Sequence, residues 1–172
     1  MVSLVVTYLF TVKPLSATII YMKKPVILIV DDNKVNIELL RAQLKPYNYD
    51  IDTALDGEEA LAKIAKTPPD MVLLDLMMPK ISGYEVCRSI KKNKLTQFVP
   101  VIIITALQEL DDKLKAIELG ADDFLVKPFN KLELITRIKS LLRMKELHDD
   151  LDHSENILFS LVEALEAKDI YT

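Results

Sequence analysis

Glycine and cysteine are scarce in this chain of 172 residues, and each shortage excludes a class of protein. The three glycines, Gly57, Gly83 and Gly120, stand far apart, which excludes a glycine-rich loop that cradles the phosphates of a nucleotide. The single cysteine, Cys87, excludes an intrachain disulfide framework and a metal site made only of thiolates. We therefore expect a reduced protein, located in the cytoplasm, whose chemistry comes from other side chains.

Charge and hydropathy are moderate and place the chain among globular proteins. The formal net charge of -4 and the isoelectric point near 5.3 argue against nucleic acid as a partner. Apolar residues make up 50% and charged residues 28%, a composition that is neither disordered nor fibrous. The length allows one domain and an additional segment, but hardly two full domains.

Residues 1–22 differ from the rest, because they carry one charge, Lys13, and many Val, Thr, Ile and Tyr residues. Lys13 and Pro14 divide this stretch into two apolar pieces, each shorter than the roughly 20 residues of a membrane-spanning helix. The charge also follows the first apolar run, whereas a secretory signal has it before. We interpret the segment as an extension outside the core fold, from a start codon upstream of Met22. An added edge strand or hairpin and a membrane anchor stay open as alternatives.

From Pro25 onward, strand patterns alternate with helix patterns. Apolar, largely β-branched runs predict buried strands, whereas an apolar period of three to four residues predicts helices. The predicted strands are 26–30, 49–54, 71–74, 101–104 and 124–126. The predicted helices are 33–45, 57–66, 83–92, 110–119 and a long final helix from near Asn130. Because each crossover helix must cover a face of the sheet, this order predicts an α/β fold with a doubly wound, five-stranded parallel sheet.

Four of the five predicted strands end in a side chain that suits a site for a phosphoryl group and a metal ion. Asp31 and Asp32 follow the first strand, Asp75 the third, Thr105 the fourth and Lys127 the fifth. Ligands of an open parallel sheet bind at the carboxyl ends of its strands, so we expect these groups to converge. Clustered carboxylates repel one another unless a cation with oxygen ligands holds them, and Mg²⁺ fits best. Each residue alone would be ordinary, and only their combination predicts the site.

The same segments resemble the receiver domains of response regulators in two-component signalling. The resemblance is carried by ILIVDDNKVN, MVLLDLMMPKISGYEV, IIITA and ADDFLVKPF, which stand in the family's order within about residues 24–144. It implies a flavodoxin-like sheet with strand order 2-1-3-4-5, followed here by an extended C-terminal helix. It also implies a phosphoacceptor rather than an enzyme, with a sensor histidine kinase or a phosphotransfer protein as its partner. Such a domain catalyses at most its own phosphorylation and dephosphorylation.

The resemblance assigns the phosphoacceptor and the metal ligands to named residues. It implies that Asp75 accepts the phosphoryl group. It further implies that Asp31 and Asp32, with Asp75 and the main-chain carbonyl of Met77, bind Mg²⁺.

The resemblance also assigns the residues that respond to the phosphoryl group. Thr105 is implied as the switch hydroxyl, Phe124 as the switch aromatic, and Lys127 as the cation that pairs with the phosphoryl oxygens. The main chain of Met77 and Ala106 is implied to contact the same oxygens. The family commonly has a cis peptide bond after the lysine, which would direct the ammonium of Lys127 into the site.

An apolar stripe continues beyond the part of the chain that a bare receiver needs. The stripe recurs at alternating steps of three and four residues and consists of Met144, Leu147, Leu151, Ser154, Leu158, Leu161 and Leu165. This spacing is typical of a coiled coil, with one polar interruption at Ser154. We predict a homodimer through parallel helices over 144–168, whereas a single helix folded back onto its own receiver is the alternative. We expect no membrane partner.

The last sixteen residues, ILFSLVEALEAKDIYT, resemble the segment that leads into HD-GYP cyclic-di-GMP phosphodiesterase domains. The metal ligands of such a domain do not occur in this chain, so it cannot carry out that hydrolysis. We therefore divide the chain into an extension (1–22), a receiver (23–144) and a linker helix with the start of an output domain (145–172). Two alternatives are a regulatory fragment of an HD-GYP phosphodiesterase and a module that dimerises without phosphorylation.

Overall fold

Strands and helices alternate along the chain in a computed structural model that describes residues 24–106 and 117–169, with side chains except those of 161 and 163–169. The elements are β1 (Val26–Val30), α1 (Lys34–Leu44), β2 (Asp50–Ala54), α2 (Gly57–Lys66), β3 (Met71–Leu74), α3 (Gly83–Lys92), β4 (Val101–Thr105), β5 (Asp123–Val126) and α4 (Lys131–Asp169). Most of the predicted helix 110–119 lies outside the described residues, and its end, Ile117 and Glu118, is helical. The predicted extension 1–22 lies outside them as well.

The five strands form one parallel sheet in the order β2-β1-β3-β4-β5. This order confirms the predicted doubly wound, flavodoxin-like fold with strand order 2-1-3-4-5. Every residue of β3 and β4 is buried, because helices cover both faces of a parallel sheet and leave its central strands no contact with water. The edge strand β2 instead alternates between more and less exposed residues, which explains its mixed sequence.

Two apolar cores lie on the two faces of the sheet. Successive side chains of a strand point to opposite faces, so Leu28 and Val30 join one core while Ile27 and Ile29 join the other. The first core is completed by α2 and α3, and the second by α1 and α4. In the described part of the chain the sheet is therefore held between two layers of helices, and its strand ends are left open for a site.

Polar side chains fix where the helices begin. The Asn33 side chain accepts a hydrogen bond from the Val35 N–H at the start of α1, and the Asp56 side chain accepts one from Glu59 at the start of α2. At the start of α3, the Glu85 carboxylate accepts from both the N–H and the hydroxyl of Ser82. These caps place each helix start next to the strand end that precedes it.

Gly83 allows α3 to begin directly against the end of β3. A Cβ atom at this position would lie 2.1 Å from the carbonyl oxygen of Asp75 and 2.7 Å from the Cα of Leu76. No side chain can be accommodated at such distances, so glycine is required by the close approach of two backbone segments. Gly120 has a φ of 90°, the left-handed conformation in which many helices end, and it follows the helical residues Ile117 and Glu118.

The final helix α4 has a part that packs on the sheet and a part that does not. Leu134, Ile135 and Ile138 are buried in the second core, whereas the side chains described between 149 and 162 are all exposed. The helix is continuous over 39 residues and does not fold back onto the receiver within the described range. None of the described helices combines the length and the apolar character that crossing a membrane requires.

Candidate functional site

Three carboxylates meet at the carboxyl ends of neighbouring strands. Asp31 follows β1 and Asp75 follows β3, and these strands pair in register with Val30 opposite Leu74. One carboxylate oxygen from each of Asp31, Asp32 and Asp75 lies within 4.8 Å of the others. Asp31 is 2% exposed and Asp75 8% exposed, whereas Asp32 faces solvent. The structure thus brings together the three acidic residues that the sequence singles out.

Asp31 is held in place by donors from the first turn of α1. The Nδ2 of Asn36 lies 3.0 Å from both carboxylate oxygens of Asp31, and the Asn33 N–H donates to its Oδ1 at 2.9 Å. Sequence reasoning missed Asn36, although a polar residue on the sheet-facing side of a helix that starts at a site is a signal for such a role. The hydrogen bonds fix the carboxylate of Asp31 without neutralising its charge.

Lys127 supplies the cation on the other side of the carboxylates. Its Nζ lies 2.8 Å from Oδ2 of Asp31 and 3.4 Å from Oδ1 of Asp75. The Lys127 N–H donates to the carbonyl of Thr105, and the peptide bond to Pro128 is cis, as the resemblance implies. The ammonium therefore bridges two acids and lies closer to Asp31.

The pKa of Asp75 is raised above its ordinary value. Burial is the largest cause, and the negative charge of Asp31 adds to it, while Lys127 and the N–H of Met77 act in the opposite direction. One ammonium faces three carboxylates, so two negative charges stay uncompensated. A small divalent cation with oxygen ligands fits this donor set in charge and in chemical type.

The remaining predicted residues lie at the same edge of the sheet. Thr105 ends β4 and is buried, and Ala106 follows it in an exposed position. Phe124 is paired in register with Ile103 and packs, half-buried, on the core under α2 and α3. Met77 donates its N–H to Asp75 and exposes its side chain. Their individual roles stay predictions.

An ion pair fastens the loop between β3 and α3, which the sequence did not indicate. Lys80 has a φ of 65°, which is uncommon for a residue with a side chain. Its Nζ lies 2.7 Å from Oδ2 of Asp56, at the start of α2. The loop that carries Met77 is therefore tied to a neighbouring helix.

A family model for the response regulator receiver domain matches residues 27–139. This chain belongs to that family. The receiver is 44% identical over 129 residues to the response regulator PleD of Caulobacter vibrioides, an overlap of 75% of this chain and 28% of PleD. In general, the chain spans between about a quarter and a half of the length of the curated relatives it matches.

Solved structures of receivers share this fold. A two-component response regulator from Clostridium difficile superposes with a TM-score of 0.65 at 31% identity, over 70% of this chain and 97% of that one. The beryllofluoride-activated DrrB receiver domain superposes with a TM-score of 0.64 at 36% identity, over 70% of this chain and 98% of that one. The predicted HD-GYP lead-in near the C-terminus stays a prediction.

Proposed function

We propose that Asp75 accepts a phosphoryl group from a sensor histidine kinase or a phosphotransfer protein. The observation that carries the proposal is a buried carboxylate of raised pKa that lies between two further acids and one ammonium. An anion whose charge is poorly compensated is a stronger nucleophile than one in water. A carboxylate oxygen of Asp75 would form a bond to phosphorus while the bond from phosphorus to the donor's imidazole nitrogen breaks.

Asp31, Asp32, Asp75 and the main-chain carbonyl of Met77 would hold Mg²⁺. When bound, the ion supplies positive charge for the oxygens of the phosphoryl group during transfer. Lys127 would move its ammonium from the carboxylates toward those oxygens, since its Nζ already bridges Asp31 and Asp75. The family membership supports this assignment, because receivers typically bind Mg²⁺ through an acidic cluster of this kind.

Thr105 and Phe124 would respond to the added phosphoryl group by changing their contacts. The Thr105 hydroxyl can donate to a phosphoryl oxygen, as can the main-chain N–H groups of Met77 and Ala106. Phe124 could then move further into the core, since it already packs half-buried against it. A charge at the site would in this way bias a packing equilibrium on the face formed by β5 and its neighbours.

Acetyl phosphate with Mg²⁺ tests the phosphoacceptor directly. We expect intact-mass spectrometry to find one added phosphoryl group on the wild type and on Asp50→Asn, a control that removes an exposed acid from β2. Asp75→Asn is expected to gain none. A labelled Asp75→Asn, or a wild type that stays unlabelled, would contradict the proposal. Because Asp75 is the one acceptor that we propose, no more than one phosphoryl group per chain should be found. We further propose that the chain is not otherwise an enzyme.

We further infer a homodimer through α4, with a specific observation in its favour. Four members of the apolar stripe whose side chains are described are between 56% and 65% exposed, namely Met144, Leu147, Leu151 and Leu158. A regular row of exposed apolar side chains on a long helix is buried most simply by a second copy of the same helix. We therefore propose that two copies of the chain pair through parallel helices over 144–168.

Molar mass in solution tests the dimer. Light scattering should find a dimer for the wild type and a monomer for Leu151→Asp with Leu158→Asp. Phe159→Asp is the matched control, because Phe159 is equally exposed but lies outside the apolar stripe. Loss of the dimer in this control as well would mean that association does not follow the stripe.

Two further assignments rest on resemblance to the family rather than on geometry. A cytoplasmic location is expected because histidine kinases present their phosphoryl group there. A regulatory fragment of an HD-GYP phosphodiesterase stays the alternative to a stand-alone regulator, and the coding sequence downstream of Thr172 decides between them.

A further inference from the structure

An aromatic pair lies beside the apolar stripe where α4 leaves the receiver. Phe98, in the loop before β4, and His148, on α4, have ring centroids 3.9 Å apart and ring planes at 47°. Phe98 is still 54% exposed. Both rings line a hollow of about 260 Å³ together with Met144, the first residue of the stripe. The apolar surface of the stripe therefore continues onto the body of the receiver.

The heptad register places two further residues on the flanks of the stripe. With Met144 at position a and Leu147 at position d, Arg143 takes position g and His148 position e. Positions g and e lie on opposite flanks, so Arg143 points away from the aromatic pair of its own chain. In a parallel two-stranded coil, however, a g residue faces the e residue five positions later on the other helix. Arg143 of one copy would therefore meet His148 of the other.

The chemistry of these groups is complementary. Arg143 is exposed, and among the described residues it takes part in no ion pair. A guanidinium is planar and stacks on aromatic rings. The Nε2 of His148 lies 3.5 Å from the Asp152 carboxylate, so an acid stands next to the aromatic pair. A guanidinium placed there would contact an aromatic face and lie near the negative charge of Asp152.

We propose that each copy of the chain docks Arg143 on the Phe98–His148 pair of the other copy. The inference rests on the dimer proposed above and adds a contact between the receiver body and the second copy. A two-fold axis makes the contact occur twice in each dimer.

Two features of the sequence lower the stability of the coiled coil alone, so a second contact would strengthen the dimer. Its stripe is interrupted at Ser154. In the same register Asp150 takes position g and Glu155 position e, so two acids face each other across a parallel coil. The arginine contact stabilises the start of the coil, directly before this repulsive segment.

Dimer dissociation constants of the full chain, from sedimentation equilibrium, test the contact. Phe98→Ala and Arg143→Gln are each expected to raise the dissociation constant of the dimer about tenfold. Because both substitutions remove the same contact, the double variant should have a dissociation constant no higher than that of the more affected single variant. Arg143→Lys should also weaken it, because an ammonium keeps the charge but loses the planar stacking. Arg88→Gln, at an exposed arginine of α3, and Leu95→Ala, in the same loop as Phe98, are the controls and should change nothing.

Mixing two variants shows whether the contact joins two chains. A homodimer of Phe98→Ala has no intact contact, and neither has a homodimer of Arg143→Gln, whereas the mixed dimer keeps one. A mixture should therefore contain more heterodimer than the statistical share, as measured by native mass spectrometry. A statistical mixture, or single variants as tight as the wild type, would overturn this contact while leaving the dimer intact. A monomeric wild type would instead overturn the dimer and this contact together.

Discussion

Asp75 is buried without full compensation of its charge, and this one residue links the stability of the receiver to its chemistry. Burial and the charge of Asp31 raise its pKa, against the attraction of Lys127. The folded state therefore binds a proton at Asp75 more tightly than the unfolded state does. The free energy of unfolding falls as the pH rises through the range above 3.8, the ordinary value of the group.

Removal of this charge should stabilise the fold at neutral pH. Asp75→Asn keeps the size and the polarity of the side chain and removes the uncompensated charge. Because water reaches the open mouth of the site and screens part of the charge, we expect a gain of about 1 kcal/mol, which corresponds to roughly 2–6 °C in Tm. Thermal unfolding in the presence of a chelator measures it, with Asp50→Asn as the control. A lower Tm for Asp75→Asn would refute the stated balance of charges.

Binding of Mg²⁺ should depend on pH for the same reason. Protons and the cation compete for Asp75, whose raised pKa moves this competition to a higher pH than for an ordinary aspartate. We expect the affinity to increase as the pH rises above the ordinary pKa and to become constant once Asp75 is ionised. Isothermal titration calorimetry at several pH values measures this. An affinity that is equally high at every pH would mean that Asp75 is not a ligand.

At the scale of the elements, the strand ends and helix starts position the site, and Gly83 is the tightest of these joints. An alanine there would place its Cβ 2.1 Å from the carbonyl oxygen of Asp75. Either α3 or the end of β3 would have to move. We expect Gly83→Ala to lower the free energy of unfolding by about 2–3 kcal/mol and to slow phosphorylation of Asp75. Urea unfolding measures the first effect, and Ser89→Ala, at an exposed position of α3, should be nearly neutral.

The elements were predictable because buried strands and amphipathic helices differ so clearly in their apolar spacing. The bounds of α2, β3 and α3 agree with those predicted, and β2 begins one residue later than expected. The convergence of Asp31, Asp32 and Asp75 was also predictable, since the carboxyl ends of parallel strands lie at one edge of the sheet. The shorter distance from Lys127 to Asp31 and the hydrogen bonds from Asn36 were not predictable from the sequence. They depend on side-chain distances that no spacing along the chain encodes. The same is true of the ring contact between Phe98 and His148, which also depends on side-chain distances.

At the scale of the molecule, the described part of the chain has a receiver body and a projecting helix that carries much negative charge. Residues 146–155 of α4 include five acids, Glu146, Asp149, Asp150, Asp152 and Glu155. In a parallel dimer these charges come from two chains and repel one another, most directly where Asp150 faces Glu155. Because salt screens exposed charges, we expect the dimer to become tighter as the salt concentration rises.

The dissociation constant of the dimer should fall about threefold between roughly 50 mM and 500 mM sodium chloride. Over this range the Debye length shrinks from somewhat more than about 10 Å toward the roughly 3 Å of 1 M salt. Sedimentation equilibrium measures this. The variant with both Asp150→Asn and Glu155→Gln should lose most of the dependence. A dimer that dissociates as salt is added would show that attraction between charges, not their repulsion, dominates the paired helices.

β4 connects the two regions on which these proposals depend. Thr105 stands at its carboxyl end, at the same edge of the sheet as Asp75, and the loop with Phe98 leads into its first residue. The strand is completely buried and is hydrogen-bonded to β3 and β5 on its two sides, so it has little freedom to bend. Five residues span only about 17 Å. A displacement along the strand axis at one end would therefore be transmitted to the other, which would give a phosphorylated Asp75 a short and stiff route to the proposed contact between two copies.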